Sequence, residues 1–136
     1  MAKVLVVDDD EDILGLVQAR LRKADHQVMS AAAAADALQL IDERGQPHLV
    51  VLDVGLPGLD GLGLLEAIRA KPGLSAMPAI FVSARVLPED VAAGRAMGAI
   101  YLTKPFVASA LLGAVEKALA EAAEAAAGSQ SEPGGW

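Results

Sequence analysis

The stretch HLVVLDVGLPGLDG, residues 48–61, carries two kinds of information at once. Residues 48–52 form an apolar, β-branched run with no polar face, which reads as a strand buried on both sides. Asp53 ends the run and puts a carboxylate where such a strand emerges from the core. Gly55, Pro57 and Gly58 make a turn, and Asp60 is placed to cap a helix whose buried face carries Leu62, Leu65 and Ile68. Pro72 and Gly73 should end that helix. The unit is strand, turn, helix, with an acid at the junction.

The unit recurs in both directions along the chain. Upstream, residues 4–7 form an apolar strand before Asp8 and Asp9, and Asp12 can cap a helix through Ile13, Leu14, Leu16, Val17 and Leu21. A short strand over 28–30 leads to an alanine-rich helix over 33–44, stopped by Gly45 and Pro47. Downstream, residues 79–82 form a strand before Ser83, followed by a glycine-containing helix over 89–97. Residues 100–103 form a strand before Lys104, and a last helix starts at Val107. Five βα repeats predict an α/β fold, a doubly wound parallel sheet with right-handed connections and helices on both faces. Residues 1–122 are expected to form the domain. Gly128 should stop the last helix, so that 123–136 is a helix extension followed by a disordered tail or linker.

Composition narrows the function. The 136 residues fit one domain of ordinary size, about 100–150 residues. There is no cysteine, so disulfides and thiolate metal sites are excluded, which suits a cytoplasmic setting. No apolar run is long enough for a membrane span. The net charge of −7 argues against direct binding of nucleic acid or an anionic membrane surface.

Asp8, Asp9, Asp53, Ser83 and Lys104 all stand at the carboxyl ends of expected strands. In an open parallel sheet these ends share one edge, where ligands bind. Three carboxylates gathered there repel one another and raise each other's pKa values, an arrangement with no merit for stability alone. A hard divalent cation resolves the conflict, because Mg²⁺ takes oxygen ligands and phosphoryl oxygens. A lysine and a hydroxyl beside it suit an anion. The set reads as a phosphoryl-transfer site with an aspartate nucleophile.

The segments VLVVDDD, VLDVGLPGLDG, FVSA and YLTKPF, in this order and each led by an apolar strand, resemble the four motif segments of response-regulator receiver domains, chemotaxis regulators among them. The likeness covers residues 3–120. It implies a flavodoxin-like sheet of strand order 2-1-3-4-5. Asp53 is then the phosphoacceptor, with Mg²⁺, or Mn²⁺ in its place, held by Asp8, Asp9, Asp53 and the backbone carbonyl of Gly55. Ser83, Ala84 and Lys104 receive the phosphoryl group, and Ser83 and Tyr101 form the switch. The Lys104–Pro105 bond is expected to be cis. The implied partners are a histidine kinase or a histidine phosphotransfer protein. A homodimer through the fourth helix, fifth strand and last helix is a further expectation, with no direct contact to nucleic acid or membrane. The chain is then a signalling switch that catalyses its own phosphotransfer and a slow autodephosphorylation.

The blander readings have their places. Asp10, Glu11 and Asp12 suit a helix N-terminus, and Phe106, His26 and His48 suit packing or surface roles. The acidic run is no EF-hand loop, because Ile13 and Ala19 stand where glycine and a bidentate glutamate are required. Gly61 and Gly63 make no dinucleotide fingerprint, because Glu66 stands at the third glycine. The chain departs from the family in having only Ile100 between Ala99 and Tyr101, where relatives often have two residues. With glycine at 55 and Arg85 two residues past Ser83, a long-lived phosphorylated state is expected. Two rivals remain: a small aspartyl-phosphate hydrolase with Asp8 as nucleophile and Asp10 as acid/base, and a receiver that docks partners without phosphorylation.

Overall fold

A computed structural model describes residues 2–84 and 87–131. Ten elements alternate along the chain: β1 (Lys3–Val7), α1 (Glu11–Lys23), β2 (Gln27–Ala31), α2 (Ala34–Arg44), β3 (Leu49–Leu52), α3 (Gly61–Arg69), β4 (Ala79–Ser83), α4 (Pro88–Ala96), β5 (Ile100–Thr103) and α5 (Ala108–Ser131). The strands pair in parallel in the order β2-β1-β3-β4-β5.

Each strand sends successive side chains to opposite faces, and helices cover both. Leu5, Val7, Val50, Leu52 and Phe81 pack with Ala37 and Ile41 of α2 and Leu64, Leu65 and Ile68 of α3. Val4, Val6, Val51, Ile80 and Val82 pack with Val17 and Leu21 of α1 and Leu111, Val115 and Ala118 of α5. This double coverage explains why β1, β3 and β4 read as unbroken apolar runs. None of the described helices is long and apolar enough to cross a membrane.

The structure differs from the sequence reading at several element ends. Asp10, not Asp12, caps α1, its side chain accepting the N–H groups of Asp12 and Ile13. The chain leaves β1 at Val7, so Asp10 is the acid with extended backbone before the first helical turn. The α3 helix ends at Arg69, before Pro72 and Gly73. Its fully buried face carries Leu64 as well as Leu65 and Ile68, with Leu62 half-buried. Helix α5 runs through Gly128 to Ser131. One glycine costs a helix about 1 kcal/mol relative to alanine, which does not force a stop within such an alanine-rich run. The part of the expected tail at 132–136 lies outside the described residues.

The amino edge of the sheet is tied by side chains to backbone. His26 Nδ1 accepts the Ala2 N–H at 3.1 Å, and His48 Nδ1 accepts the Lys3 N–H at 2.9 Å. Arg69 donates from Nε and Nη2 to the Met77 carbonyl and from Nη1 to the Met97 carbonyl.

Candidate functional site

The carboxyl edge gathers the polar residues that the strand pattern pointed to. Val7 is paired with Leu52, so the next residues, Asp8 and Asp53, lie side by side, and the Asp53 N–H donates to the Val7 carbonyl at 2.9 Å. Ser83 is paired with Thr103, and the Lys104 N–H donates to the Ser83 carbonyl at 2.9 Å. Asp8 and Asp53 are only 3% and 8% exposed, and Ser83 is buried too. Asp9 is exposed at the rim.

Lys104 reaches across the edge between two carboxylates. Its Nζ lies 2.8 Å from Asp8 Oδ2 and 3.2 Å from Asp53 Oδ2. The other oxygens are held by backbone: Asp8 Oδ1 accepts the Asp10 N–H at 2.9 Å, and Asp53 Oδ1 accepts the Gly55 N–H at 3.0 Å. Each acid is therefore fixed at both oxygens. Burial pushes the Asp8 carboxyl above its ordinary value, and the charge of Asp53 adds to the push, against the pull of Lys104 and the Asp10 N–H. Burial also opposes the charge on Lys104, but the hydrogen bonds and charges of Asp8 and Asp53 outweigh it and raise its pKa.

One oxygen from each of Asp8, Asp9 and Asp53 lies within 4.8 Å of the others. An all-oxygen carboxylate set fits a hard divalent cation such as Mg²⁺. A thiolate or imidazole metal has no donors among these residues.

Other candidate residues take distinct places. Ala84 is exposed beside Ser83. Tyr101 is half-buried, its ring centroid 6.1 Å from that of Phe81 at an interplanar angle of 44°. The Lys104–Pro105 peptide bond is cis. Arg85 lies outside the described residues. Asp60 caps α3 by accepting the Gly63 N–H at 2.9 Å. Asp10, the hydrolase reading's acid/base, spends its side chain on the α1 cap, and Asp8, its nucleophile, is pinned by Lys104.

Two contributors escaped the sequence reading. The Gly55 N–H joins the Lys104 side chain in orienting Asp53. Gly61 lets the first turn of α3 close on the loop: its N–H donates to the Val54 carbonyl at 3.0 Å, and a Cβ there would run into the Asp53 carbonyl. The glycine that follows Asp60 was the available signal, but only the close approach gives it meaning.

Comparison with known proteins agrees with this geometry. The family model described as "Response regulator receiver domain" matches residues 4–116. The chain is 40% identical over 131 residues to the transcriptional regulatory protein PrrA of Mycobacterium tuberculosis, covering 96% of this chain and 54% of PrrA. It therefore spans about half the length of the curated relatives it matches. Among solved structures it is similar to the chemotaxis protein CheY4 of Vibrio cholerae, with a TM-score of 0.81, 31% identity, and coverage of 88% of this chain and 99% of that one. It is also similar to NtrX of Brucella abortus, with a TM-score of 0.86, 35% identity, and coverage of 94% of this chain but 29% of NtrX.

Proposed function

The chain belongs to the response regulator receiver domain family, a phosphorylation-activated signalling switch, and from that premise we propose that Asp53 is its phosphoacceptor. The observation that carries this reading is the Asp8, Asp9 and Asp53 oxygen cluster with Lys104 between its two buried members.

The donor is a phosphohistidine on a histidine kinase or a histidine phosphotransfer protein. Asp53 Oδ2 attacks phosphorus in line. The O–P bond forms as the N–P bond breaks, and the imidazole leaves and takes a proton. Asp8, Asp9, Asp53 and the Gly55 carbonyl would hold Mg²⁺ or Mn²⁺, which when bound supplies positive charge against the phosphoryl oxygens. The Gly55 N–H holds Asp53 Oδ1 and leaves Oδ2 for the reaction. Lys104 exchanges its contact with Asp53 Oδ2 for the incoming phosphoryl oxygens.

The product carries nearly two negative charges. The Ser83 hydroxyl donates to it, exposed Ala84 leaves it room, and Tyr101 follows Ser83 inward. The response is a shift in a pre-existing equilibrium, which needs a differential affinity on the order of a few kcal/mol. It is read on the α4–β5–α5 face, where the edge strand β5 also offers a surface for a homodimer. Autodephosphorylation is slow, because Gly55 has no side chain to orient an attacking water. The protein works in the cytoplasm, in keeping with a chain that has no cysteine and no described helix able to cross a membrane.

The test is incubation with acetyl phosphate and Mg²⁺, followed by intact mass and mapping of the adduct. One phosphoryl group on Asp53, dependent on Mg²⁺ and abolished by Asp53→Asn, is the expected result. An adduct mapped to Asp8 would support the hydrolase reading. No adduct and no beryllium fluoride complex would leave a phosphorylation-independent docking module.

A further inference from the structure

We propose that Gly94 is the positioning residue of the Tyr101 switch: the side chain it lacks is the space that the Tyr101 and Phe81 rings occupy, so position 94 sets how far the Tyr101 ring enters the domain. This rests on the functional reading above, because it concerns the switch of the same site.

Gly94 lies inside α4 and is buried. Glycine in a helix interior costs about 1 kcal/mol relative to alanine, so its presence there calls for a local reason. The reason is contact. A Cβ at position 94 would lie 3.1 Å from Cδ2 of Phe81 and 3.1 Å from Cδ2 of Tyr101, closer than carbon atoms rest comfortably. Phe81 is fully buried in the middle of β4, packed among the helices and strands of that face. Tyr101 is half-buried on the edge strand β5 and can swing outward. The ring that must yield to a side chain at 94 is therefore that of Tyr101.

The backbone of Gly94 acts on the same strand. Its carbonyl accepts the N–H of Met97 and of Ala99, each at 3.2 Å, which closes α4 and starts the short turn into β5 at Ile100. The site is reached through packed neighbours. Phe81 is paired with Tyr101 in the sheet, and Ser83 lies two residues past Phe81 on the same strand face. By contrast, a Cβ at Gly113, on α5, would meet nothing within 4 Å.

Tyr101 is the only tyrosine, so 3-fluorotyrosine labelling gives one ¹⁹F resonance that reports its ring alone. Spectra are recorded with and without beryllium fluoride and Mg²⁺ for the wild type, Gly94→Ala, Phe81→Leu and Gly113→Ala. An off-rotamer cost predicts that Gly94→Ala lowers the inward ring population roughly two- to tenfold while acetyl phosphate still modifies Asp53. Phe81→Leu enlarges the same space and should move the population the other way, and Gly113→Ala should match the wild type. Gly94→Ala spectra that track the wild type in both states overturn the inference. Should Gly94→Ala fail to fold, an unchanged resonance in Phe81→Leu overturns it equally. Absence of a phosphoryl adduct in the wild type defeats the functional reading instead. An adduct with no change at Tyr101 defeats the switch and this inference with it.

Discussion

The two edges of the sheet place their polar side chains in opposite ways. At the amino edge, half-buried His26 and Arg69 and exposed His48 turn ring or guanidinium nitrogens onto backbone groups. At the carboxyl edge, Asp8 and Asp53 lie buried side by side with a single lysine between them. The first arrangement completes strand ends and loops. The second leaves Asp8 reluctant to ionise, a cost that a metal ion and a phosphoryl group can offset. One sheet thus carries a structural edge and a chemical edge, and each should answer differently to substitution and to Mg²⁺.

The largest difference should come from Lys104. In metal-free protein, Lys104→Met leaves two buried carboxylates without their cation and should cost about 2–4 kcal/mol in urea unfolding. Saturating Mg²⁺ should remove at least half of that loss, because the ion replaces the missing charge. A loss of equal size with and without Mg²⁺ would mean that Lys104 serves the fold alone. Arg69→Met at the other edge strips the donors from the Met77 and Met97 carbonyls and should cost about 2–3 kcal/mol. That loss should be the same with and without Mg²⁺, and the yield of Asp53 adduct should not change. Dependence on Mg²⁺ here would erase the distinction between the edges.

The smallest effect concerns protons. Burial lowers the pKa of His26 below 6.5, in keeping with a neutral ring that accepts the Ala2 N–H. A depressed histidine stabilises the fold fully above its unfolded value, and the contribution is lost as pH falls through the folded value. Between pH 7.5 and 5, wild type should lose about 0.5–1 kcal/mol more than His26→Asn, the worth of one hydrogen bond. Identical pH profiles would show that the ring is not needed as an acceptor.

Most of the fold could be read from strands that are apolar on both faces, because only a doubly covered parallel sheet gives runs such as Val4–Val7 and Leu49–Leu52. The gathering of Asp8, Asp53, Ser83 and Lys104 at one edge was legible for the same reason: a polar residue that ends a strand of a parallel sheet stands at its carboxyl edge. What escaped depends on distances that no pattern encodes. Five consecutive acids at 8–12 offer several caps, and the end of β1 selects Asp10. Leu64 is buried on α3, and the helix starts at a close approach that only glycine at 61 permits. The orientation of Asp53 by the Gly55 N–H, and the space at Gly94, are properties of backbone and of missing atoms.

The measurement that bears most directly on the chemical edge compares the unfolding free energy of wild type and Asp8→Asn, each with and without Mg²⁺. The amide can still accept the Asp10 N–H, and Lys104 keeps Asp53 at 3.2 Å, so the substitution removes the buried charge of Asp8 together with its 2.8 Å ion pair to Lys104. Without metal, Asp8→Asn should be the more stable protein at neutral pH, because burial holds the Asp8 carboxyl above its ordinary value. With Mg²⁺, wild type should gain and the variant should gain little, so that their order reverses. An Asp8→Asn protein that is less stable than wild type without metal, and gains as much from Mg²⁺, would contradict the account.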